Sequence, residues 1–261
     1  MSSDVEGAYL ASLAGISQPP YRDEDGPRDR AEEFIELFNR VEDFLSRLVN
    51  RASYTRFEKL VEAAAVDNAA VRANANSLGQ FAKLRNAIVH GDGYPQHIVA
   101  MPSSQTISKF KMVVQKVTEP TPLIPTFERE VRCFSEEDSL LQVLAFMRGR
   151  DFSQVVVRNS SGNLRMLTVE GITWWLADHV GESYLPVGTA TVGDAIALEP
   201  QGGFKILGAQ KTIFDADDAL RNSIHPDSTR LYAIVITENG VDGEDPIGFV
   251  TPWDLVHHPR L

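Results

Sequence analysis

An arginine and a histidine near the end of one helical stretch give the sharpest chemical signal in the 261-residue chain. Arg85 and His90 stand five residues apart, and Asn86 lies between them. On a helical wheel Arg85 projects from the middle of an apolar stripe, so its guanidinium must be paired or must face a partner surface. His90 ends the helix, where the helix dipole favours the protonated imidazole. A fixed cation beside a group that titrates near neutral pH suits phosphodiester chemistry.

A second pair of polar residues follows the last hydrophobic strand pattern. Thr251 and Asp254 have Thr-x-x-Asp spacing at the start of a short predicted helix. A carboxylate on the first helical turn can accept hydrogen bonds from hydroxyl groups, and a helix N-terminus favours an anionic group. The same spacing is a common helix cap, so a purely structural role for Asp254 stays open.

The charge of the chain is divided unevenly between its two halves. The whole sequence has 25 Lys and Arg against 36 Asp and Glu, a formal net charge of −11, which disfavours nucleic acid and anionic membranes as partners. Residues 37–117, however, carry 11 basic and six acidic side chains, whereas residues 121–261 carry 11 and 20. This asymmetry indicates that only the first part meets a polyanion. Ordinary solvated helix faces would give the same counts.

Composition also excludes several classes of site. The single cysteine, Cys133, excludes an intramolecular disulfide framework and a multi-cysteine zinc site, and we expect no metal. No apolar run approaches the roughly 18 residues that span a bilayer. The first 20 residues lack the basic and apolar regions of a signal peptide. We therefore expect a cytoplasmic protein with no membrane partner.

The elements that must position these residues follow two different patterns. Residues 1–27 are predicted to be a flexible leader. Apolar residues then recur at three- and four-residue spacing, which predicts a four-helix bundle over residues 28–118. Its helices are predicted to begin near four residues: Asp29, Tyr54, Asn68 and Ser104. Three prolines in residues 119–127 predict a semi-extended linker.

Beyond the linker, the same order of predicted elements occurs twice. Helix, strand, turn, strand and helix patterns run from Ser139 to Leu176 and return from Thr212 to His257. This is an internal βαββα-like repeat of roughly 80 residues. We assign its copies to residues 128–182 and 183–261. The predicted fold class is multidomain, α followed by α/β: a helical bundle, then the tandem repeat.

The end of the second copy resembles a CBS motif. Residues 246–255, PIGFVTPWDL, have the hydrophobic strand with Gly, the Thr, the two arbitrary residues, the Asp and the aliphatic residue of that motif. The first copy keeps the threonine, Thr168, but has Gly171 in place of the aspartate. The resemblance covers about residues 128–258, and two such copies form what is called a Bateman module.

This resemblance implies a ligand and the residues that bind it. Bateman modules often bind adenosine nucleotides in the clefts between their copies. Carried over to this sequence, Thr251 and Asp254 would hold the ribose, and Phe152 and Ser153 would contact the base. Because Gly171 cannot accept those hydrogen bonds, the symmetry-related cleft is expected to be weaker or empty.

The helical part resembles the HEPN family. Its hallmark is Arg, a polar residue, a short spacer and His within a four-helix bundle, as in Arg85, Asn86 and His90. Active HEPN proteins are commonly metal-independent endoribonucleases that pair two motifs across a homodimer. The resemblance implies that His90 is the general acid and base, that Arg85 stabilises the phosphate and that Asn86 has an orienting role. Many members of the family are interaction modules without catalysis.

Two functions follow from these resemblances. In the first, a CBS pair senses AMP, ADP or ATP and regulates a dimeric HEPN-like endoribonuclease that acts on RNA and requires no cofactor. In the alternative, the protein is a non-enzymatic sensor or scaffold, and its bundle mediates dimerisation or recruits a partner protein. A bundle that binds nucleic acid without cutting it is a third option.

Overall fold

The computed structural model describes residues 27–50, 56–89, 100–181, 187–200, 202–223 and 230–258. His90 and residues 1–26 of the predicted leader lie outside these ranges. The predicted mixture of helix and sheet is confirmed. The helices of the first part precede two three-stranded sheets.

Within the described ranges, four helices precede the repeats: α1 (Pro27–Leu48), α2 (Phe57–Asp67), α3 (Ala69–Val89) and α4 (Ser104–Thr118). They share an apolar core in which phenylalanine rings meet. Phe110 lies at the centre, with ring centroids 4.8 Å from Phe34 and 4.3 Å from Phe81. Ser103 begins α4, because its hydroxyl accepts a hydrogen bond from the backbone of Thr106 at 3.2 Å. We call these four helices the helical unit.

The two repeats have the predicted order of elements. A short helical segment, α5 (Leu123–Thr126), leads into β1 (Cys133–Ser135), α6 (Leu140–Arg150), β2 (Gln154–Arg158), β3 (Leu164–Thr168) and α7 (Val169–Asp178). The second repeat has α8 (Val192–Ile196), β4 (Phe204–Gly208), α9 (Ile213–Asn222), β5 (Ala233–Thr237), β6 (Gly248–Val250) and α10 (Pro252–Val256).

Each sheet has its middle strand between one parallel and one antiparallel neighbour. In the first sheet β2 pairs in parallel with β1 and antiparallel with β3, and β5 pairs in the same way with β4 and β6. The middle strands are buried on both faces, which explains their continuous apolar runs. Side chains from both sheets also form a shared core: Val156, Leu164, Met166, Ala233 and Val235.

The segment predicted as a linker, residues 119–127, packs onto the second repeat. Leu123 is fully buried and lies in one core with Ile213 and Phe214 of α9. The backbone N–H of Leu123 donates to Lys211 at 2.7 Å, and that of Ile213 donates to Thr121 at 3.0 Å. The prolines interrupt regular secondary structure, but the apolar residues between them are part of the core of the second repeat. A semi-extended linker would not be buried in this way.

The leading segment of the second repeat makes the reciprocal contact with the first repeat. Val192 of α8 is fully buried in the core formed by α6, β2 and α7. The backbone N–H of Val192 donates to Asp138 at 2.9 Å, and that of Leu140 donates to Ala190 at 3.0 Å. Each repeat is therefore completed by the segment that leads into the strands of the other repeat.

The helical unit contacts the second repeat at the start of α3. Ala69 and Ala70 are buried in the same core as Phe214. The Arg72 guanidinium makes a bidentate contact with the Asp218 carboxylate on α9, at 3.2 Å for Nε to Oδ1 and 3.1 Å for Nη2 to Oδ2. Small residues allow the two helices to approach closely, and the ion pair fixes their register.

We predict that Leu123→Ala destabilises the protein by about 2–5 kcal/mol, because it removes buried methyl groups and leaves a cavity. Leu141→Ala is the matched control, since 53% of Leu141 is exposed, and it should cost less than about 0.5 kcal/mol. Chemical denaturation of the two variants and the wild type gives both values. Equal effects would contradict the placement of Leu123 in the core of the second repeat.

Candidate functional site

A cavity of about 450 Å³ lies between the two repeats. It is lined by the residues that lead into β1, by the end of α6 with the following turn, and by the end of β6. Three of the four predicted ligand-binding residues, Phe152, Ser153 and Thr251, line it together. Asp254 is not among its lining residues and stands just behind Thr251. We call this cavity the first cleft.

Thr251 reaches the first cleft because it is the N-cap of α10. Its hydroxyl accepts from the Asp254 N–H at 3.3 Å, and Asp254 Oδ2 accepts from the Thr251 N–H at 2.7 Å and from its hydroxyl at 2.6 Å. This reciprocal capping box fixes both side chains. Asp254 therefore has the structural role of a helix cap, which its Thr-x-x-Asp spacing had left open.

The second oxygen of Asp254 links the cap to the cleft. Oδ1 accepts from Nη2 of Arg129 at 3.1 Å, and Arg129 lines the first cleft. Burial alone would raise the pKa of the Asp254 carboxyl, but hydrogen bonds from Thr251 and the charge of Arg129 outweigh it and lower the pKa. Asp254 is thus ionised, and it holds one arginine at the edge of the cavity.

The opposite end of the cleft is aromatic. Phe152 is half exposed, and its ring meets Phe146 edge-on at 5.8 Å between centroids. Asp151 precedes it with a positive φ of 56°, which ends α6 and turns the chain towards β2. The Ser153 carbonyl is occupied by the backbone N–H of Val169, and its hydroxyl donates to Oε1 of Gln154. The Phe152 ring therefore offers the freer surface for a planar group.

Arginines give the first cleft its charge. Arg129, Arg132 and Arg150 line it, against the carboxylates of Glu130 and Asp151. The Arg132 guanidinium lies 4.6 Å from the centroid of Phe134 and 5.2 Å from that of Phe146, so it is held by stacking on aromatic faces. An Arg-rich end beside an aromatic end suits a ligand with a planar base and phosphate groups.

Arg129 and Arg150 are among the cleft residues that sequence reasoning missed. Neither belongs to the motif that points to Thr251 and Asp254. Arg129 lies two residues after the proline-rich segment, and Arg150 ends α6. The sequence around either arginine does not indicate that it lines a cleft, because the cleft forms only when the two repeats pack together.

The predicted catalytic residues occupy a different part of the molecule. Arg85 is half-buried on α3, with its guanidinium carbon 5.8 Å from the centroid of Phe38 on α1. Its buried Nε has no hydrogen-bond partner within the described ranges. Burial raises the pKa of Glu42 on α1, and the positive charge of Arg85 opposes that rise. Asn86 is exposed, and His90 lies outside the described residues.

Two further features concern metals and membranes. Across the described ranges, no group of three or more His, Cys, Asp and Glu side chains is arranged to hold a metal ion. No helix in the same part of the chain combines the length and apolar character that crossing a membrane requires.

Comparison with known proteins gives partial structural similarity. The sequence matches no protein-family model, and no curated protein is similar to it in sequence. The CBS domain of a membrane protein from Sphaerobacter thermophilus is 16% identical, with 59% of this chain and 95% of that chain covered and a TM-score of 0.41. The CBS domain of a bacterial CNNM/CorC family Mg²⁺ transporter in complex with ATP is 17% identical, with 52% and 84% covered and a TM-score of 0.37. CBS-domain proteins are thus among the structures similar to about half of the chain.

The lowered pKa of Asp254 predicts a loss of stability in acid. Its unfolded value is about 4, so the ionised carboxylate contributes fully above that pH and progressively less as the pH falls through the lower folded value. The free-energy difference between wild type and Asp254→Asn should therefore be largest near neutral pH and shrink below about pH 4. Urea unfolding at several pH values measures it.

Asp245→Asn serves as the control, because 96% of the Asp245 side chain is exposed and its pair with Arg158 lies at the surface. We expect a small effect from that substitution. A difference between wild type and Asp254→Asn that stays constant down to about pH 3 would contradict the assignment.

Proposed function

We propose that the tandem repeat is a CBS module and that its first cleft binds an adenine nucleotide. The observation that carries this proposal is the meeting of Phe152, Ser153 and Thr251, which come from two repeats, around one cavity with three arginines. The duplicated topology and the residues 246–255 support the same interpretation.

The side chains of the cleft suit the base, the ribose and the phosphates of a nucleotide. The Phe152 ring suits stacking on a base, and the capped start of α10 with Thr251 and Asp254 suits ribose hydroxyls. Arg129 and Arg150 suit phosphate oxygens, because guanidinium groups bind them in a bidentate manner. AMP, ADP and ATP share the base and ribose, so the arginines would decide among them.

Packing supports communication between this cleft and the helical unit. Leu255 of α10, five apolar residues of α9 and the alanines that begin α3 belong to one buried cluster. The helix that is capped at the cleft is thus connected by continuous apolar contact to the helix that carries Arg85 and Asn86. We propose that nucleotide binding regulates the helical unit by this route.

We propose that the helical unit is a HEPN-type endoribonuclease. In this reaction the ribose 2′-hydroxyl loses a proton to a base and attacks the adjacent phosphorus, and the bond to the 5′-oxygen breaks as that oxygen gains a proton. The products are a cyclic phosphate and a 5′-hydroxyl. His90 would transfer the protons, Arg85 would stabilise the phosphate charge and Asn86 would orient the substrate. The net positive stretch of residues 37–117 favours RNA as the polyanion.

A homodimer would bring two such motifs together. Large apolar side chains on α7 and α10, the equivalent last helices of the repeats, are exposed: Val169, Trp174, Trp253 and Val256. Trp175, by contrast, is buried in the core of the first repeat. Large exposed apolar side chains are typical of protein interfaces, and we propose that α7 and α10 join two copies in the cytoplasm.

One observation favours the non-enzymatic alternative. The Arg85 guanidinium stacks near Phe38, and its charge acts on Glu42, so contacts within the chain already engage it. An arginine that only supports helix packing would leave the helical unit as a dimerisation or partner-binding module. Nucleotide binding would then occur without RNA turnover.

We predict that the first cleft binds nucleotides and that the affinity depends on the charged side chains of Asp254 and Arg129. Isothermal calorimetry with AMP, ADP and ATP should detect binding, and Asp254→Ala or Arg129→Ala should weaken it at least about tenfold, as expected for losing a charge-assisted hydrogen bond. Lys59→Ala on α2 is the matched control, because its exposed pair with Glu62 lies outside the cleft. No heat with any of the three nucleotides would remove the sensor function.

We predict that the helical unit cleaves RNA without a metal ion. The purified full chain should cleave single-stranded RNA in the presence of EDTA, and Arg85→Ala or His90→Ala should reduce the rate at least about 100-fold, because each removes a group that acts on the transition state. Lys83→Ala, an exposed change on the same helix, should keep most of the activity. Equal activity in the wild type and both variants would exclude the enzyme.

A further inference from the structure

The first repeat has a helix start that corresponds to the one at the first cleft. Thr168 ends β3 and caps α7, just as Thr251 follows β6 and caps α10. The Thr168 hydroxyl accepts from the backbone N–H of Gly171 at 3.2 Å, close to the 3.3 Å between Thr251 and Asp254. Gly171, however, has no carboxylate to accept the N–H and hydroxyl of Thr168. These two donors require another partner, because Thr168 is buried.

Glu199 supplies that partner from a distant part of the chain. Its Oε2 accepts from the Thr168 N–H at 2.9 Å, and its Oε1 accepts from the Thr168 hydroxyl at 2.8 Å. These are the two donors that Asp254 satisfies in the second repeat. Glu199 lies beyond α8, 31 residues from Thr168, and only 9% of it is exposed. It therefore replaces the missing aspartate from outside the motif.

The carboxylate of Glu199 fills the space that a side chain at position 171 would need. A Cβ added to Gly171 would overlap Oε2 of Glu199 and lie 2.8 Å from its Cδ. Burial raises the pKa of Glu199, while hydrogen bonds from Thr168 oppose the rise. Gly171 and Glu199 thus form one unit, in which the glycine makes room for the remote carboxylate.

A second side chain crosses the same region. Tyr232 immediately precedes β5, as Ser153 precedes β2. Its hydroxyl donates to Oε2 of Glu170 on α7, which joins the second repeat to the first. Its ring lies against Gly203, where an added Cβ would be 3.1 Å from Cδ2 of the tyrosine. The cleft that would mirror the first one is therefore crossed by an aromatic ring where the first cleft has a serine.

The space that remains beside Glu199 differs from the first cleft. It is a cavity of about 360 Å³ bordered by Arg165 and by the turns that carry Asn159, Asn163 and Asp242. Neither Thr168 nor Tyr232 is among its described lining residues, although their counterparts Thr251 and Ser153 line the first cleft. The capped helix start of α7 is therefore shut off from it.

We infer that Glu199 closes the second cleft, which is the cleft that would mirror the first one, and that the hydrogen bond of Tyr232 with Glu170 holds it closed. Each chain then has a single nucleotide site. Glu199 takes the acceptor position at Thr168 that a ribose-binding aspartate would hold, and in the described part of the chain it separates that helix start from the neighbouring cavity. This inference rests on the proposed function for the ligand, but the replacement of the aspartate by Glu199 can be tested without any ligand.

Thermal unfolding of a double-mutant cycle tests the replacement. Glu199→Ala should lower the Tm by about 5 °C, because two buried donors lose their acceptor. Gly171→Asp alone should also lower the Tm, because its side chain overlaps Glu199. In the Glu199→Ala background, Gly171→Asp should instead raise the Tm, because aspartate restores the local acceptor. Gly171→Ala in that background is the control and should give no rescue. Gly171→Asp lowering the Tm equally in both backgrounds would overturn the inference.

Calorimetric stoichiometry with ATP tests the consequence. The wild type should bind one ATP per chain, and the triple variant Gly171→Asp, Glu199→Ala, Tyr232→Ser should bind two. Two sites in the wild type, or one in a triple variant that unfolds cooperatively, would overturn the closure. No binding by the wild type to AMP, ADP or ATP would count against the proposed nucleotide function, and the melting cycle would still decide the role of Glu199.

Discussion

The tandem repeat depends on the reciprocal exchange of the segments that lead into the strands of its two copies. Leu123 completes the core of the second repeat, and Val192 completes the core of the first. Backbone hydrogen bonds of 2.7–3.0 Å hold both exchanged segments. Because neither repeat has a full core of its own, the two must form together, and their sheets share the apolar layer between them. The first cleft is a product of this constraint, since its walls come from both repeats.

The sequence carries much of this architecture in local patterns. Apolar runs such as Val155–Val157 predict buried strands, and the Thr-x-x-Asp spacing at Thr251 predicts the cap that is found. The exchange of segments between the two repeats depends on contacts between residues far apart in the sequence. No local sequence pattern therefore indicates it. Three prolines among residues 119–127 indicate an extended spacer, yet the buried Leu123 decides where this segment lies. Local spacing likewise cannot connect Glu199 to a threonine 31 residues away.

The two capped helix starts show how one local requirement can be met in two ways. A threonine at the end of a strand buries an N–H and a hydroxyl that need acceptors. In the second repeat the acceptor is three residues away, and its other oxygen is free to hold Arg129 at the first cleft. In the first repeat both oxygens of the remote Glu199 are bound by Thr168. The two helix starts therefore have the same N-cap backbone geometry, while the capping carboxylate keeps an oxygen for a contact outside the cap in the second repeat and not in the first.

The junction between α3 and α9 explains why the two halves should act as one molecule. The ion pair of Arg72 with Asp218 is partly exposed and contributes little energy by itself, whereas the buried alanines beside it remove apolar surface from water. Arg85 lies 13 residues beyond Arg72 on the same helix, about 20 Å along its axis. A helix is stiff over that length, so a displacement of α9 would move Arg85 as part of a rigid body. Under the regulation that we propose, such a displacement would change the position of Arg85 relative to a second copy or a substrate. The packing of Arg85 against Phe38 and its charge interaction with Glu42 would then be lost, unless α1 moved together with α3.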